Sequence, residues 1–351
     1  MAVEAKFASA QGRPLLALLG LDRAIAAGEG AAQFEGTASG GFEAPVRLKV
    51  KLSGAGLDAE AQGTAEPWAK EGKASLNLKV GSVNLAPLLE LKPDDKIAQN
   101  IGLTSRLTIA GSKWTFDDLD SSIDGSRLRG HLTLTLDEDK AIEGEVGLDT
   151  LALAPCFELA IGAAGDPAEP LSAGLVKGWR GRVAFQALRG VLAGIELQQV
   201  GGTVKADGQS LVFDDIKGKV GGGDFSASIE ARPSSNGISL NSRVQLSGVD
   251  GGALRYRGLA MPAGRTSMEM SLTSQGRSAS ALVGALAGSG TVTLQSARFA
   301  GLNPRAFEVA VRASDSGQAK DDARLRQIVQ PALSAGALVV PLAQIPFRLR
   351  D

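Results

Sequence analysis

The stretch Phe116-Asp-Asp-Leu-Asp-Ser-Ser-Ile-Asp-Gly-Ser-Arg-Leu-Arg-Gly-His-Leu-Thr-Leu-Thr-Leu136 decides how this chain is read, because it occurs twice. Its second copy, Phe213-Asp-Asp-Ile-Lys-Gly-Lys-Val-Gly-Gly-Gly-Asp-Phe-Ser-Ala-Ser-Ile-Glu-Ala231, begins 97 residues later. Both run Phe-Asp-Asp-aliphatic, an aliphatic residue four positions on, a glycine turn, then an alternating strand. Recurrence at a fixed spacing is the mark of a repeat architecture. The pattern predicts a strand-turn-strand module used several times, with the acidic pair at the end of a strand.

Working outward, the same alternation fills most of the chain. Val46, Leu48, Val50 and Leu52 share one face of a seven-residue run whose other face is Arg47, Lys49 and Lys51. Period-2 alternation of this kind is the signature of a half-exposed strand. Leu76, Leu78 and Val80 repeat it, as do Leu132, Leu134 and Leu136. Helical spacing is confined to residues 14–27, 277–287 and 320–333. Pro14 suits a first helical turn and Gly28 a stop. Residues 154–173 lose all periodicity and carry Pro155, Pro167 and Pro170, which predicts a linker between repeat regions at 1–153 and 174–351. The expected fold is mainly β: repetitive antiparallel strands in an elongated, curved sheet with an apolar groove and a few short helices. Ile345 opens a strand with no visible partner, so both ends read as cut from a longer chain.

Composition narrows the function classes. At 351 residues the chain suits two ordinary domains or one array of repeats. A net charge of −1 lacks the basic footprint of a nucleic-acid binder. With 45 glycines and only 4% aromatics, a thin aliphatic sheet fits better than a deep aromatic sandwich core. Cys156 is the only cysteine, which excludes an intramolecular disulfide framework. His131 is the only histidine, so any His-based catalysis or metal ligation must pass through it. No secretory signal is legible at the start, and no apolar run reaches the ~18 residues of a membrane span.

Two segments resemble the AsmA family of bacterial envelope proteins. One runs from Gly202-Thr-Val-Lys-Ala-Asp-Gly-Gln-Ser-Leu-Val-Phe-Asp-Asp-Ile216 to Ile229. The other, Leu272-Thr-Ser-Gln-Gly-Arg-Ser-Ala-Ser-Ala-Leu-Val-Gly-Ala-Leu-Ala-Gly-Ser-Gly-Thr-Val-Thr-Leu294, is similar to the family's C-terminal region, here about 265–310. Together they span roughly residues 100–310. The resemblance implies kinship with TamB-like and bridge-like lipid-transfer proteins and a curved sheet with an apolar inner face. It also implies a periplasmic body held at the inner membrane by an N-terminal helix, which this sequence lacks. A role in outer-membrane biogenesis and homeostasis follows, with phospholipid acyl chains as ligand and an outer-membrane component as possible partner.

These lines meet at Val46, Leu48, Val50, Leu52, Leu76, Leu78, Val80, Leu132, Leu134 and Leu136, expected to line the apolar face. Such stripes ordinarily form closed cores, so a sandwich stands against the open groove. A scaffold for other envelope proteins stands against a lipid conduit. An enzyme ranks third, and no catalytic, cofactor-binding or metal residue is assigned. Asp117-Asp118 and Asp214-Asp215 lack calcium-loop spacing. Gly221-Gly-Gly223 and Gly288-Ser-Gly290 lack the fingerprints of phosphate loops and read as turns or bulges. His131 falls on the polar face opposite Leu132, and Trp114 and Trp179 read as packing anchors.

Overall fold

Seventeen strands pair into one sheet in the computed structural model, which describes residues 2–349 except 42–43, 89–100, 124–125, 164–165, 173, 257–258 and 319–320. The first meander comprises β1 (Ala2–Ser9), α1 (Gly12–Leu19), β2 (Ala32–Ser39), β3 (Val46–Gly54), β4 (Leu57–Glu66), β5 (Lys73–Val83), β6 (Ile101–Ala110), β7 (Lys113–Ile123), β8 (Ser126–Thr135) and β9 (Lys140–Ala152). After α2 (Leu153–Ile161) come β10 (Trp179–Leu192), β11 (Ile195–Asp207), β12 (Leu211–Val220), β13 (Gly223–Ser234) and β14 (Gly237–Asp250). A two-residue hairpin, β15 (Arg255–Tyr256) with β16 (Leu259–Ala260), stands apart from the main sheet. The chain then runs through β17 (Ala263–Gly276), α3 (Ala279–Gly284), β18 (Ala287–Ala300), α4 (Arg305–Asp315), α5 (Asp322–Ser334) and β19 (Ala337–Leu349).

Every main-sheet strand pairs antiparallel with the next, with one exception. β9 and β10 are parallel, from Trp179 opposite Lys140 to Val191 opposite Ala152. A parallel pair cannot be joined by a hairpin, because the chain must return to the end it came from. The connection from Leu153 to Gly178 makes that return and splits the sheet into two meanders. The sheet is curved and unclosed. Among the described pairings β1 meets only β2, and β19 meets only β18.

The repeated motif proves to be a bulge in the middle of a strand, which corrects its expected place at a strand end. Phe116 and Leu119 lie three residues apart, so a regular strand would send them to opposite faces. The β7 register shifts between them, and Asp118 takes a left-handed conformation at φ 52°. The same happens between Phe213 and Ile216 in β12, with Asp215 at φ 52°. Asp tolerates this conformation better than most residues. The Ser105 hydroxyl donates to the Asp117 carbonyl at 2.8 Å, satisfying a backbone acceptor that the bulge displaces. Gln199 (φ 52°) and Ser296 (φ 51°) do the same between Leu197 and Val200 and between Leu294 and Ala297. All four bulges keep an apolar pair on one face.

Two glycines admit a close approach where β8, β9 and β10 curve together. A Cβ on Gly130 would meet the Glu145 carbonyl oxygen at 2.0 Å, and one on Gly144 the His131 carbonyl oxygen at 2.2 Å. Glycine kinks of this sort are how a sheet is made to curl.

The helices differ from expectation at their ends. α1 stops at Leu19 rather than Ala27, because Gly20 turns left-handed (φ 70°) and its N–H donates to the Ala17 carbonyl. α3 and α5 fall inside the expected ranges, apart from one residue at the end of α5, with Ser278 and Asp321 capping their N-termini. α4 had no expected counterpart, and α2 lies in the presumed linker. β19 begins at Ala337, well before Ile345. Gly288 and Gly290 are mid-strand rather than turn residues; Gly290 leaves room for the Phe347 ring, which would lie 2.6 Å from an added Cβ. Gly221 and Gly222 do form the β12–β13 turn, both at positive φ.

The bulge geometry predicts a residue order at position 215. Asp215→Gly is expected to keep or raise stability, while Asp215→Val costs about 1–2 kcal/mol more, since a β-branched residue resists left-handed φ. Gly144→Ala, with no room for its methyl group, is expected to cost on the order of 1–3 kcal/mol. Chemical denaturation of the variants measures both.

Candidate functional site: the apolar face of the sheet

Cross-strand register places one residue from each of the seventeen strands in a single row. It runs Val3, Ala38, Leu48, Gly63, Leu76, Leu107, Phe116, Leu132, Gly144, Val183, Val204, Phe213, Ile229, Ser242, Leu272, Gly288 and Leu349. Ser242 is its only polar member. At the ~4.8 Å spacing of neighbouring strands the row measures roughly 75 Å along the sheet.

The ten expected face residues all belong to this face. Leu48 and Leu76 share a row through Gly63, Val50 and Leu78 through Ala61, and Leu52 and Val80 through Ala59. Leu132 pairs with Phe116 and Leu134 with Trp114. Leu136 lies just past β8, its N–H donating to the Ser112 carbonyl at 2.9 Å. Of the ten, Leu52, Leu76 and Val80 are buried and the rest half-buried. The second meander supplies the same face through residues that the sequence alone did not assign to it, including Phe185, Val204, Phe213, Phe225, Val244 and Leu246. Their register to the first meander depends on the parallel joint, which no local pattern announces.

The buried clusters show what covers this face. Leu15 and Leu16 of α1 pack on Leu52, Leu57, Val80, Val83 and Ile101. Next to them Ala61, Leu76 and Leu107 are buried among Leu48, Val50, Ile109, Trp114 and Phe116, all from β3 to β7, with no helix over them. In the second meander Leu153 and Leu254 pack with Phe185, Leu197, Val200, Val220 and Phe225. Ala160 and Ile161 pack with Val176, Leu211, Ala231, Ile238 and Leu282. Each cluster joins neighbouring strands and the segments laid on them. The strands joined in each are consecutive in the sheet; the largest takes in Val146, Leu148 and Leu151 of β9 across the β9–β10 joint.

The opposite face is polar and exposed. Lys49 pairs with Glu60 at 3.5 Å, Arg106 with Asp118 at 3.1 Å, and Lys205 with Asp214 at 2.6 Å. The Lys205 ammonium holds the Asp214 carboxyl below its usual range through its hydrogen bond first, then its charge. Arg127 does the same for Asp120 by hydrogen bonding. Exposed pairs of this kind add little stability. His131 is exposed and sits opposite Glu145. Shallow depressions on this face, one beside Arg243 and Glu269 and one beside His131 and Gln186, are gaps that Ser228, Gly147 and similar small residues leave between long side chains.

Trp114 packs against Ala61, Leu76 and Leu107, and Trp179 is buried at the start of β10, as their reading as anchors expects. Among the described residues no three His, Cys, Asp or Glu side chains cluster as metal ligands, and no helix is long and apolar enough to cross a membrane. Comparison with protein-family models, curated proteins and solved structures returns no match to this chain.

The β11–β12 turn carries a pH signature. Asp207 accepts hydrogen bonds from the Gln209 N–H (2.9 Å), the Ser210 N–H (2.6 Å) and the Ser210 hydroxyl (2.9 Å). These bonds, the Gln209 N–H first, pull its carboxyl below the usual value. A lowered folded-state pKa contributes stability above the unfolded value of ~3.9, lost as pH falls through the folded one. Asp207→Ala is expected to melt earlier than the parent at neutral pH, with the gap closing below about pH 4. Thermal melts across pH 2.5–7 test this.

Proposed function

We propose that this protein carries phospholipid acyl chains along the apolar face of its sheet, as an AsmA-like component of outer-membrane biogenesis in a Gram-negative-type periplasm associated with the inner membrane. The observation that carries the proposal is the row across all seventeen strands, apolar but for Ser242, most of whose members are half-buried, with Leu76 and Leu107 buried and Val3 and Leu349 exposed at the two edges. A face of this length holds far more apolar surface than α1 and α2 cover.

The energetics suit transfer without catalysis. An acyl chain leaving a bilayer loses about 0.8 kcal/mol per CH₂, on the order of 12 kcal/mol for ~16 carbons. Contact with Leu, Val, Ile and Phe side chains replaces most of that loss, while the head group stays in water. Repetition of similar apolar rows keeps the energy nearly level from strand to strand, so no position becomes a trap. Group chemistry at a fixed point is not required.

A second reading has its own support at the sheet edge. β19 is apolar on both faces, with Val339 60% and Leu342 62% exposed on the side away from the row. An edge strand of this kind offers itself to another chain, which favours a scaffold binding other envelope proteins.

Photo-crosslinkers at Leu48 and Leu134 are expected to capture phospholipid in cells, while Lys49 and Thr133, on the opposite face, capture none. Capture at the polar positions alone reverses the face assignment. Protein adducts in place of lipid at all four support the scaffold.

A further inference from the structure

We infer that α2 and the segment behind it form a displaceable strap that competes with acyl chains for the apolar face of the second meander. The inference rests on the lipid reading above and adds a control point to it.

Topology puts the strap where it is. β9 and β10 run in parallel, so the chain leaves β9 at Ala152 and must return the length of that strand before re-entering at Trp179. It makes the return across the apolar face. Leu153 packs at the β9 end, the Phe157 ring meets Phe213 edge-on at 5.7 Å, and Ile161 is buried with Leu211 and Ile238. Phe213 belongs to the row that crosses all seventeen strands. The strap therefore sits across the path that a chain moving from β1 towards β19 would take.

Its attachments suit reversible release. α2 has nine residues, no side-chain N-cap, no acidic residue in its first turn and no basic residue in its last. Helices this short are not stable alone in water, so α2 depends on the face beneath it. Ala154, Pro155, Cys156 and Glu158 on its outer side are all exposed. Beyond α2, the strap is held to the β17–α3 junction by the Leu171 N–H on the Arg277 carbonyl and the Ser280 N–H on the Pro167 carbonyl, both 2.8 Å. Between β9 and these anchors, α2 is held by the packing of Phe157, Ala160 and Ile161 on the face. Phe157 and Ile161 offer the face the same kind of contact as an acyl chain, and one can replace the other.

A fixed roof and a competing strap respond oppositely to loss of Phe157. If α2 were lining, Phe157→Ala would weaken lipid retention. If it competes, the same change favours lipid by about fivefold or more, the effect of one to two kcal/mol. The full chain is tested with vesicles of phosphatidylethanolamine and phosphatidylglycerol, using crosslinkers at Leu134, away from the strap, and at Leu240, beneath it. A spin label on Cys156 reports α2 itself. The expected result is lipid capture at both sites, a more mobile label with vesicles present, and a rise at Leu240 in Phe157→Ala without change at Leu134. Capture at Leu134 with an unchanged label, or with capture at Leu240 lowered in Phe157→Ala, overturns the strap and leaves the lipid reading standing. No capture at either site in the parent protein overturns both, since the strap would have nothing to compete with.

Discussion

Register is the constraint on which this structure depends. Side chains alternate with period two along a strand, so a slip of one residue between any two neighbours turns an apolar face polar. Seventeen strands must agree for the row from Val3 to Leu349 to exist. Where the apolar residues are spaced by three rather than two, a bulge restores agreement. Asp118, Gln199, Asp215 and Ser296 each take positive φ just before the second residue of such a pair. Leu119, Val200, Ile216 and Ala297 are buried as a result. The recurring Phe-Asp-Asp is therefore a register device, with its second aspartate in the left-handed conformation that Gln199 and Ser296 take in the other two bulges.

A sheet built this way solves one problem and creates another. Many neighbouring strands are joined by short turns, while longer connections carry α1 between β1 and β2 and α4 and α5 between β18 and β19. Yet one face is apolar along most of its length, and the cluster of Ala61, Leu76 and Leu107 on it has no helix over it. Proteins that expose large apolar patches use them. The opposite face is charged, with Lys49, Arg106, Lys205 and their acidic partners; in the proposed reading it keeps the sheet in water while the apolar face takes a ligand. The joint between β9 and β10 is the one parallel pairing among the described strands of the main sheet, and α2 lies in the connection that makes it.

How much of this was legible in the sequence follows the same physics. Strict alternation, as in Val46–Leu52, exposed the strands and placed all ten named residues on one face. The glycine turns gave the hairpins. What failed was whatever depended on partners distant in sequence. The bulged aspartates break alternation and so read as a strand's end. α2 lacks caps and carries Pro155, so its nine residues resembled a linker; they are helical because the face below rewards it. α1 was read too long because Gly20 was not recognised as its left-handed stop. β19 was read too short because Val339, Val340, Pro341 and Leu342 show no alternation and the strand carries two prolines. Nothing local distinguishes a parallel joint from another hairpin, which hid the second meander's share of the apolar face.

The central claim is that this face holds acyl chains, and the most direct measurement is lipid analysis by mass spectrometry of the protein purified gently from a cell envelope. The account predicts phospholipid in at least stoichiometric amount, lost when Leu76, Leu107 and Leu132 are together replaced by serine in a protein that still folds. A lipid-free chain from the same preparation, with the apolar face closed against protein, would contradict it.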